Sequence, residues 1–481
     1  MRLGGIKMYR NPTEQMTLDN FKLPFGGKLD SKNRWVKLVD LIPWDTVEVQ
    51  YAENFSKENG PTAKPARMAF GAIIIQKRLG TTDQETLDQI TENPYLQYFI
   101  GLKEFQTEPP FDVSLMTYFR KRISSDSIKE INEQTIKRND KKKDKDNDDQ
   151  PPKNKGKLIM DATCAPADIK YPTDLSLLNE CREKLDQIID HQQAPRKGEK
   201  ARPRTYRNKG KKDYLKTAKA KKISKKNLRK AIRKQLNYVR RNLMAVETLV
   251  KQPKTQPLTE KQQKQLEIIN QCYTQQKTMY DNKTHSIENR IVSISQPHVR
   301  PIVRGKTAAP VEFGAKISMS LHNGYTRLER VSWDNFNEST DLISAVEEYK
   351  KRNGYYPECV IVDKLYRNRN NIAWCKERNI RISGPALGRP KRTIEKAIKN
   401  IEKLDSAIRN SVEGKFGEAK RCYGLNRIMT KLKETSETSI GLSFYVMNLE
   451  HMLRVLLCPI LQITLKRLFL RNWGNPALDC A

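Results

Sequence analysis

KLIMD at residues 157–161 and CVIVD at residues 359–363 are two short apolar runs that each end in an aspartate. Short unbroken apolar runs are typical of strands that are buried on both faces of a sheet. An acid at the end of such a strand is costly unless something compensates its charge, and a divalent cation is a natural compensation. We therefore interpret Asp161 and Asp363 as candidate metal ligands. For either acid alone, a helix N-cap or a salt-bridged strand end is the alternative.

The order of the remaining elements indicates the fold. Asn323-Gly324 is a hairpin turn signal, and Asn353-Gly354 is a left-handed helix cap. Besides the two acidic runs, the pattern predicts strands at 311–321, 327–333 and 380–383 and helices at 338–352 and 391–420. The order of strand, insertion, hairpin, helix, strand, strand and helix matches an RNase H-like core with one insertion. The predicted fold class is therefore α/β, with a mixed sheet in the core.

The sequence before the first acidic run predicts an all-α N-terminal domain. Apolar residues recur at helical spacing through residues 61–123. From Lys137 to Lys157 the chain holds almost no apolar side chain, so this segment cannot bury enough surface to order itself. We therefore expect a helical N-terminal domain over residues 1–136 and a charged linker over residues 137–156.

The segment between the two acidic runs is strongly basic. The chain has 90 Lys and Arg, 56 Asp and Glu and a formal net charge of +34, which indicates a polyanionic partner, most simply nucleic acid. A solvated or ribosome-associated basic surface is the alternative. Residues 196–241 hold 21 Lys or Arg and two acids, and two apolar stripes around the Pro257 break suggest an antiparallel helical hairpin. Its candidate DNA contacts are Lys221, Lys222, Lys225, Lys226 and Arg229.

These observations divide the rest of the chain. The predicted catalytic core consists of residues 157–180 and 300–440, the basic helical insertion spans 181–299, and a C-terminal helical segment spans 441–481. The apolar stretch from Phe444 to Leu470 is interrupted by charged residues and a proline, so it predicts core-packing helices rather than a membrane span.

Composition argues against several other classes of protein. The eight cysteines form no Cys-x-x-Cys pair and the five histidines lie far apart, so neither a zinc finger, a disulfide framework nor a histidine nuclease is supported. Reduced, structural thiols in a cytosolic protein explain the cysteines better. The N-terminal sequence MRLGGIKMYRNP has no apolar stretch of signal-peptide length, so export is not indicated.

A third carboxylate is predicted on a helix that packs beside the sheet. Within RNSVEGKFGEAK at residues 409–420, Arg409, Glu413 and Lys420 fall inside one helical sector about 40° wide, whereas Glu418 points the other way. Glu413 lies at the border of the apolar face, where a metal ligand flanked by cations could meet DNA phosphates. An ordinary ion pair between Arg409 and Glu413, four residues apart, is the alternative.

With these residues in place, the chain resembles the DDE transposases of bacterial insertion sequences, in the insertion-sequence-five and eleven-eighty-two groups. Residues 409–420 reproduce the Arg-x3-Glu-x6-Lys part of the family's Tyr-x2-Arg-x3-Glu-x6-Lys signature, with Ser406 at the tyrosine position. Residues 61–123 resemble the family's InsH-like N-terminal domain. Other similar segments are MDATCAPADIKYPTD, VIVDKLYRNRNN, RIVSISQPHVRPIVRGK, VEFGAK and RISGPALGRPKR.

The resemblance implies a recombinase that depends on two Mg²⁺ or Mn²⁺ ions. Asp161, Asp363 and Glu413 would hold the metals, and Arg409, Lys420, Tyr366 and Arg367 would grip phosphates near the cut. Helix-start packing and a solvated charge are the alternatives for the last two. The N-terminal domain would bind DNA. The implied partners are the terminal inverted repeats, target DNA and a second protomer, in a cytoplasmic, nucleoid-associated protein that uses no membrane and no small-molecule substrate.

Two rival functions and two rival acids stay open from the sequence. One rival is a non-catalytic DNA-binding descendant of such an enzyme, and the other is a structure-specific or RNA-cleaving nuclease on the same core. Asp168 and Asp174 are alternative acids near the first strand, although they follow it in a segment broken by Pro166 and Pro172.

Overall fold

The computed structural model describes residues 17–23, 26–55, 62–139, 154–196, 203–253, 255–303, 311–384 and 396–472. These ranges form a mixed α/β structure with a helical N-terminal region, a mixed sheet and a group of inserted helices. Most of the expected linker, residues 140–153, lies outside the described ranges. The same is true of residues 304–306 and 385–392 of the family-like segments.

The N-terminal region is helical, as its apolar spacing predicts. Thr82 caps one helix by accepting a hydrogen bond from the backbone N–H of Glu85, and Asn93 caps the next, which begins at Pro94. Its helices are α1 (Arg34–Leu41), α2 (Trp44–Ala52), α3 (Ala66–Leu79), α4 (Asp83–Glu92), α5 (Pro94–Phe99), α6 (Leu115–Arg122) and α7 (Ser125–Asn139).

The described strands form one six-stranded sheet. They are β1 (Lys157–Pro166), β2 (Arg300–Val303), β3 (Val311–His322), β4 (Tyr325–Ser332), β5 (Cys359–Ile361) and β6 (Arg381–Ile382). The order is β2-β3-β1-β5-β6, and β4 also pairs with β3. β1 is antiparallel to β3 and parallel to β5, and β5 is parallel to β6. The predicted hairpin is confirmed, since Asn323 and Gly324 have φ of 52° and 83° between β3 and β4.

The first acidic run differs from its prediction. Asp161 was expected at the end of a strand, but β1 continues for five more residues to Pro166. The reason is tertiary, because the long strand β3 pairs with β1 from Leu321, opposite Ile159, to Gly314, opposite Pro166. Asp161 therefore lies in the middle of a strand. Asp363, by contrast, follows the end of β5 as expected.

The insertion is larger than the expected hairpin. It contains α8 (Asp174–Gln193), α9 (Arg207–Ala218), α10 (Lys225–Val250) and α11 (Glu260–Asn282). α8 is the main packing partner of α10, and Leu178 and Cys181 share a core with Val239 and Ile269. The expected boundary between residues 180 and 181 is therefore wrong, because it falls inside α8, which starts at the capping box of Thr173.

Helices cover both faces of the sheet. Leu158 and Val360 point to one face, where they pack with α12 (Asp341–Asn353) and α13 (Arg369–Glu377). Ile159 and Ile361 point to the other face, which is covered by α14 (Lys396–Cys422) and α15 (Lys433–Asn472). This alternation decides which face receives the two aspartates.

The N-terminal helices and α15 share one hydrophobic core with the second face of the sheet. Asn448 of α15 joins three elements, because it accepts a hydrogen bond from the backbone N–H of Thr326 in β4 and donates one to Asn132 in α7. Residues 440–453 of α15 therefore pack in the core, as expected for this part of the C-terminal segment. Residues 473–481 lie outside the described ranges. Among the described helices, none is both long and apolar enough to cross a membrane.

Candidate active site

Asp161 and Asp363 lie side by side on neighbouring strands. Ile159 of β1 pairs with Ile361 of β5 in parallel register, and each aspartate follows two residues later in its own strand direction. Because successive side chains alternate between faces, both aspartates share the face of Ile159 and Ile361, which is the face that α14 covers. The sheet therefore brings together two acids that are 202 positions apart in the sequence.

Arg409 and Glu413 approach these aspartates from α14. The Arg409 guanidinium lies 3.5 Å from Asp363 Oδ1 and 3.5 Å from Glu413 Oε1. Its charge also lowers the pKa of Asp161. Arg409 thus contacts two of the three expected acids and acts electrostatically on the third. Arg409 and Glu413 do form the ion pair that was the alternative interpretation. Arg409 also contacts Asp363, so the pair is not a simple one.

The site is open on the side of Asp363 and Glu413 and closed around Asp161. The side chains of Asp363 and Glu413 are 51% and 57% exposed. Burial, with a smaller contribution from the negative charges of Glu338 and Asp363, raises the pKa of Asp161 to about 6. A hydrogen bond of 2.8 Å from the backbone N–H of Ala162 and the charge of Arg409 oppose this shift. Without an added cation, Asp161 is therefore a poorly compensated acid.

Glu338 is an acid near the site that the sequence analysis did not single out. It starts a short 3-10 helix (Glu338–Thr340) after β4, and its carboxylate lies 2.9 Å from Lys316 Nζ. In the sequence it appears only as the first residue of an amphipathic helix, so nothing in the pattern set it apart.

The donor chemistry of the site fits a divalent cation. Carboxylate oxygens are the ligands that Mg²⁺ and Mn²⁺ accept, and a bound cation would offset the cost of ionising the half-buried Asp161. Among the residues that the structure describes, no three acidic, histidine or cysteine side chains lie close enough together to hold an ion as they stand. Arg409 instead supplies the positive charge between Asp363 and Glu413.

We expect Asp161→Asn to stabilise the metal-free protein at neutral pH. The raised pKa means that ionised Asp161 costs stability, and this cost appears as the pH rises from 3.8 to about 6. Above pH 6 the free energy of unfolding of the variant should exceed that of the unaltered protein by roughly 1–3 kcal/mol. At pH 3.8 or below the two free energies should be equal. The amide oxygen of asparagine can keep the Ala162 hydrogen bond.

Urea unfolding at several pH values measures this difference. Added Mg²⁺ should stabilise the unaltered protein more than the variant, so the difference between their free energies of unfolding should become smaller. Equal stability of the two proteins at pH 7.5 would contradict the assigned environment of Asp161.

The remaining expected DNA contacts divide into three groups. Tyr366 is fully buried among the side chains beneath α12 and α13, which favours the alternative of helix-start packing over contact with DNA. Arg367 donates hydrogen bonds to the backbone carbonyls of Ile382 and Ser383, which makes it a structural contact between the segment after Asp363 and the end of β6. Lys420 lies on α14, two turns beyond Glu413, and is half-buried.

The insertion cations lie at the surface, as expected. The four lysines before and at the start of α10 are exposed, and Arg229 is half-buried with its guanidinium 4.0 Å from the ring centroid of Tyr280. The exposed lysines are Lys221, Lys222, Lys225 and Lys226. These four side chains are therefore accessible to a polyanion.

Asp168 and Asp174 are engaged elsewhere. Arg427 donates to Asp168 at 2.8 Å, and Arg290 donates to Asp174 at 2.8 Å at the start of α8. Each alternative acid therefore has its own arginine, and neither is among the charges that act on Asp161.

Comparisons with known proteins bear on both ends of the chain. Residues 360–450 match the model of a transposase DDE domain, and residues 24–122 match that of a transposase domain. The uncharacterised protein ORF8 in the nfe locus of Rhizobium meliloti is 27% identical over 159 residues, which are 33% of this chain and 74% of that protein. No solved structure matches the chain.

The two matched regions lie far apart in the sequence and agree with each other. The second contains Asp363, Arg409 and Glu413, the residues that the structure places in contact. Two separate regions of this chain, residues 24–122 and residues 360–450, thus resemble transposase domains, and the second resembles a transposase DDE domain.

Proposed function

We propose that this chain is a transposase that binds the terminal inverted repeats of an insertion sequence. It cleaves the DNA strand there and joins the freed 3′-hydroxyl to target DNA. The observation that carries the proposal is the contact of Arg409 with both Asp363 and Glu413, beside Asp161 on the neighbouring strand. Three carboxylates on one face of a sheet are the ligands that metal-assisted phosphoryl transfer needs.

The topology of the sheet supports an RNase H-like core. In the described strands, a hairpin (β3 and β4) lies antiparallel beside β1, and β5 and β6 follow on the other side of β1 in parallel. The order of these strands along the chain is the one from which the sequence predicted an RNase H-like core. The first acid lies on its central strand, the second follows the neighbouring strand, and the third lies on the helix that covers their shared face.

The proposed cofactor is a pair of Mg²⁺ or Mn²⁺ ions held by Asp161, Asp363 and Glu413. When bound, such ions stabilise charge on the attacking and leaving oxygens of an in-line displacement. The protein's own residues orient the DNA. Arg409 and Lys420 lie on one side of α14 with Glu413, where they can neutralise phosphates beside the cut.

The proposed DNA-binding surfaces are the N-terminal helices and the basic insertion. The net charge of +34 and the exposed lysines before α10 support contact with the DNA backbone. Pairing of two element ends calls for at least two protomers, so we propose a dimer or a larger assembly in the active complex. Its place of action is the bacterial chromosome.

An end-joining assay tests this proposal. Labelled duplexes that carry the element's own ends are incubated with the full chain, Mg²⁺ and a target plasmid. We expect cleavage at the element boundary followed by covalent transfer of label to the plasmid. Cleavage without transfer would identify a nuclease on the same core, and binding without cleavage would identify a DNA-binding protein that has lost its chemistry.

A further inference from the structure

Helix α14 and strand β1 run side by side from the acids to a surface that the proposed chemistry does not use. Arg409 acts on Asp161 at one end, and Ala167 forms a bridge with Ile428 at the other. The backbone N–H of Ile428 donates to the carbonyl of Pro166 at 2.8 Å, and that of Ala167 donates to the carbonyl of Phe313 at 2.9 Å. Three separate segments of the chain therefore meet at this place.

Two large apolar side chains stand out from this meeting point. Tyr171 is 72% exposed, and its ring lies edge-on to the ring of Phe313 with centroids 5.6 Å apart. Met429, next to the buried Ile428, is 63% exposed. An aromatic ring that is supported from one side and open on the other is arranged for stacking. We name the group of Lys170, Tyr171, Phe313, Arg427 and Met429 the α14-end surface.

The cations of the α14-end surface indicate a polyanionic ligand. Lys170 is exposed next to Tyr171. Arg427 is 65% exposed. Its hydrogen bond to Asp168 holds the guanidinium beside the segment that carries Lys170 and Tyr171. Exposed aromatic rings between cations are the combination by which proteins bind unpaired nucleic acid strands, because bases stack on the rings while phosphates meet the charges.

The distance from the acids suits a DNA strand that continues from the active site. β1 advances five residues from Asp161 to Pro166, which is about 17 Å at the rise of a strand. Pro166 pairs with Gly314, next to Phe313, so it marks the near edge of the α14-end surface. Lys420 lies along this path, seven residues and about 10 Å beyond Glu413 on α14. Successive nucleotides of a duplex strand advance by about 3.4 Å, so this span corresponds to about five nucleotides.

We propose that the α14-end surface binds the DNA strand about five nucleotides from the cleaved phosphate, with an unpaired base stacked on Tyr171. Lys170 and Arg427 contact the phosphates on either side of that base. The inference rests on the proposed DNA-cleaving function and adds to it a site where the strand is locally opened and held.

Photocrosslinking tests the site in the full chain. Duplexes of one element end carry 5-iododeoxyuridine at single positions, and they are bound without divalent cations so that the DNA stays uncut. The peptide that contains Tyr171 should crosslink most strongly at the substituted position about five nucleotides from the cleavage site of the unaltered protein. Tyr171→Ala should reduce this crosslink and Mg²⁺-dependent end joining about tenfold, since one stacked base contributes that much binding.

Two variants complete the design. Tyr171→Phe keeps the ring and should retain both signals, whereas Val455→Ala removes another exposed apolar side chain, on α15, and should change neither. Normal cleavage and joining by Tyr171→Ala, with no crosslink to the Tyr171 peptide, would overturn this inference alone. Failure of the unaltered protein to cut DNA would overturn the proposed function and this inference with it.

Discussion

A protein in which Asp363 is replaced by alanine is expected to bind DNA ends as tightly as the unaltered chain and to cut none of them. The carboxylate of Asp363 faces solvent beside Arg409 and Glu413, and the proposed chemistry depends on it as a metal ligand. DNA affinity comes instead from Lys and Arg contacts to phosphates, which this change leaves in place. Gel-shift and cleavage assays on one labelled end measure the two effects separately.

Asp174→Ala is the matched control for this prediction. Asp174 is an acid at the start of α8 that has its own partner in Arg290, so its removal should leave cleavage near the level of the unaltered protein. Undiminished cleavage by Asp363→Ala would remove Asp363 from the site. Loss of DNA binding in that variant would show that the acid has a structural role instead.

Replacement of Lys221, Lys222, Lys225 and Lys226 by glutamine should weaken DNA binding and flatten its dependence on salt. All four side chains are exposed before and at the start of α10. Each lysine that neutralises a phosphate contributes about one unit to the slope of log affinity against log salt, so the slope should fall by up to about four units. Binding titrations between 50 and 200 mM salt measure the slope, because the DNA affinity should change by about tenfold or more over this range.

A second set of lysines controls for the loss of net charge. Four exposed lysines on β1, α12 and α13, away from the insertion and the N-terminal helices, can be changed to glutamine in the same way: Lys157, Lys350, Lys351 and Lys376. This control should retain most of the slope. If the two quadruple variants behave alike, the insertion lysines act only through the overall charge of the protein.

The elements of the fold were largely predictable because local signals agree with tertiary packing. Asn323-Gly324 takes the positive φ values of a hairpin turn, and Gly354 closes α12 as a left-handed cap. What the sequence did not reveal depends on long-range pairing. Asp161 lies within β1 only because β3 continues past it, and α8 belongs to the insertion only because its apolar face fits α10.

The site was predictable where helical spacing determines geometry and not where neighbours do. Arg409 and Glu413 are four residues apart on one helix, so their contact follows from the sequence. For Tyr366 the sequence left DNA contact and helix-start packing both open, and only the structure shows that a short 3-10 helix (Lys364–Tyr366) turns this side chain inward after Asp363. Glu338 reaches the vicinity of Asp161 only through the fold of the chain after β4.

The proposed binding of shared metal ions by Asp161, Asp363 and Glu413 is tested most directly by iron-directed cleavage of the polypeptide. Fe²⁺ takes the place of Mg²⁺ in the full chain, and ascorbate with hydrogen peroxide generates radicals that cut the backbone beside the bound ion. We expect cuts near residues 161, 363 and 413 together, all suppressed by excess Mg²⁺ and all lost in Asp363→Ala. Cuts at only one of these positions, or cuts that persist in that variant, would contradict a common metal site.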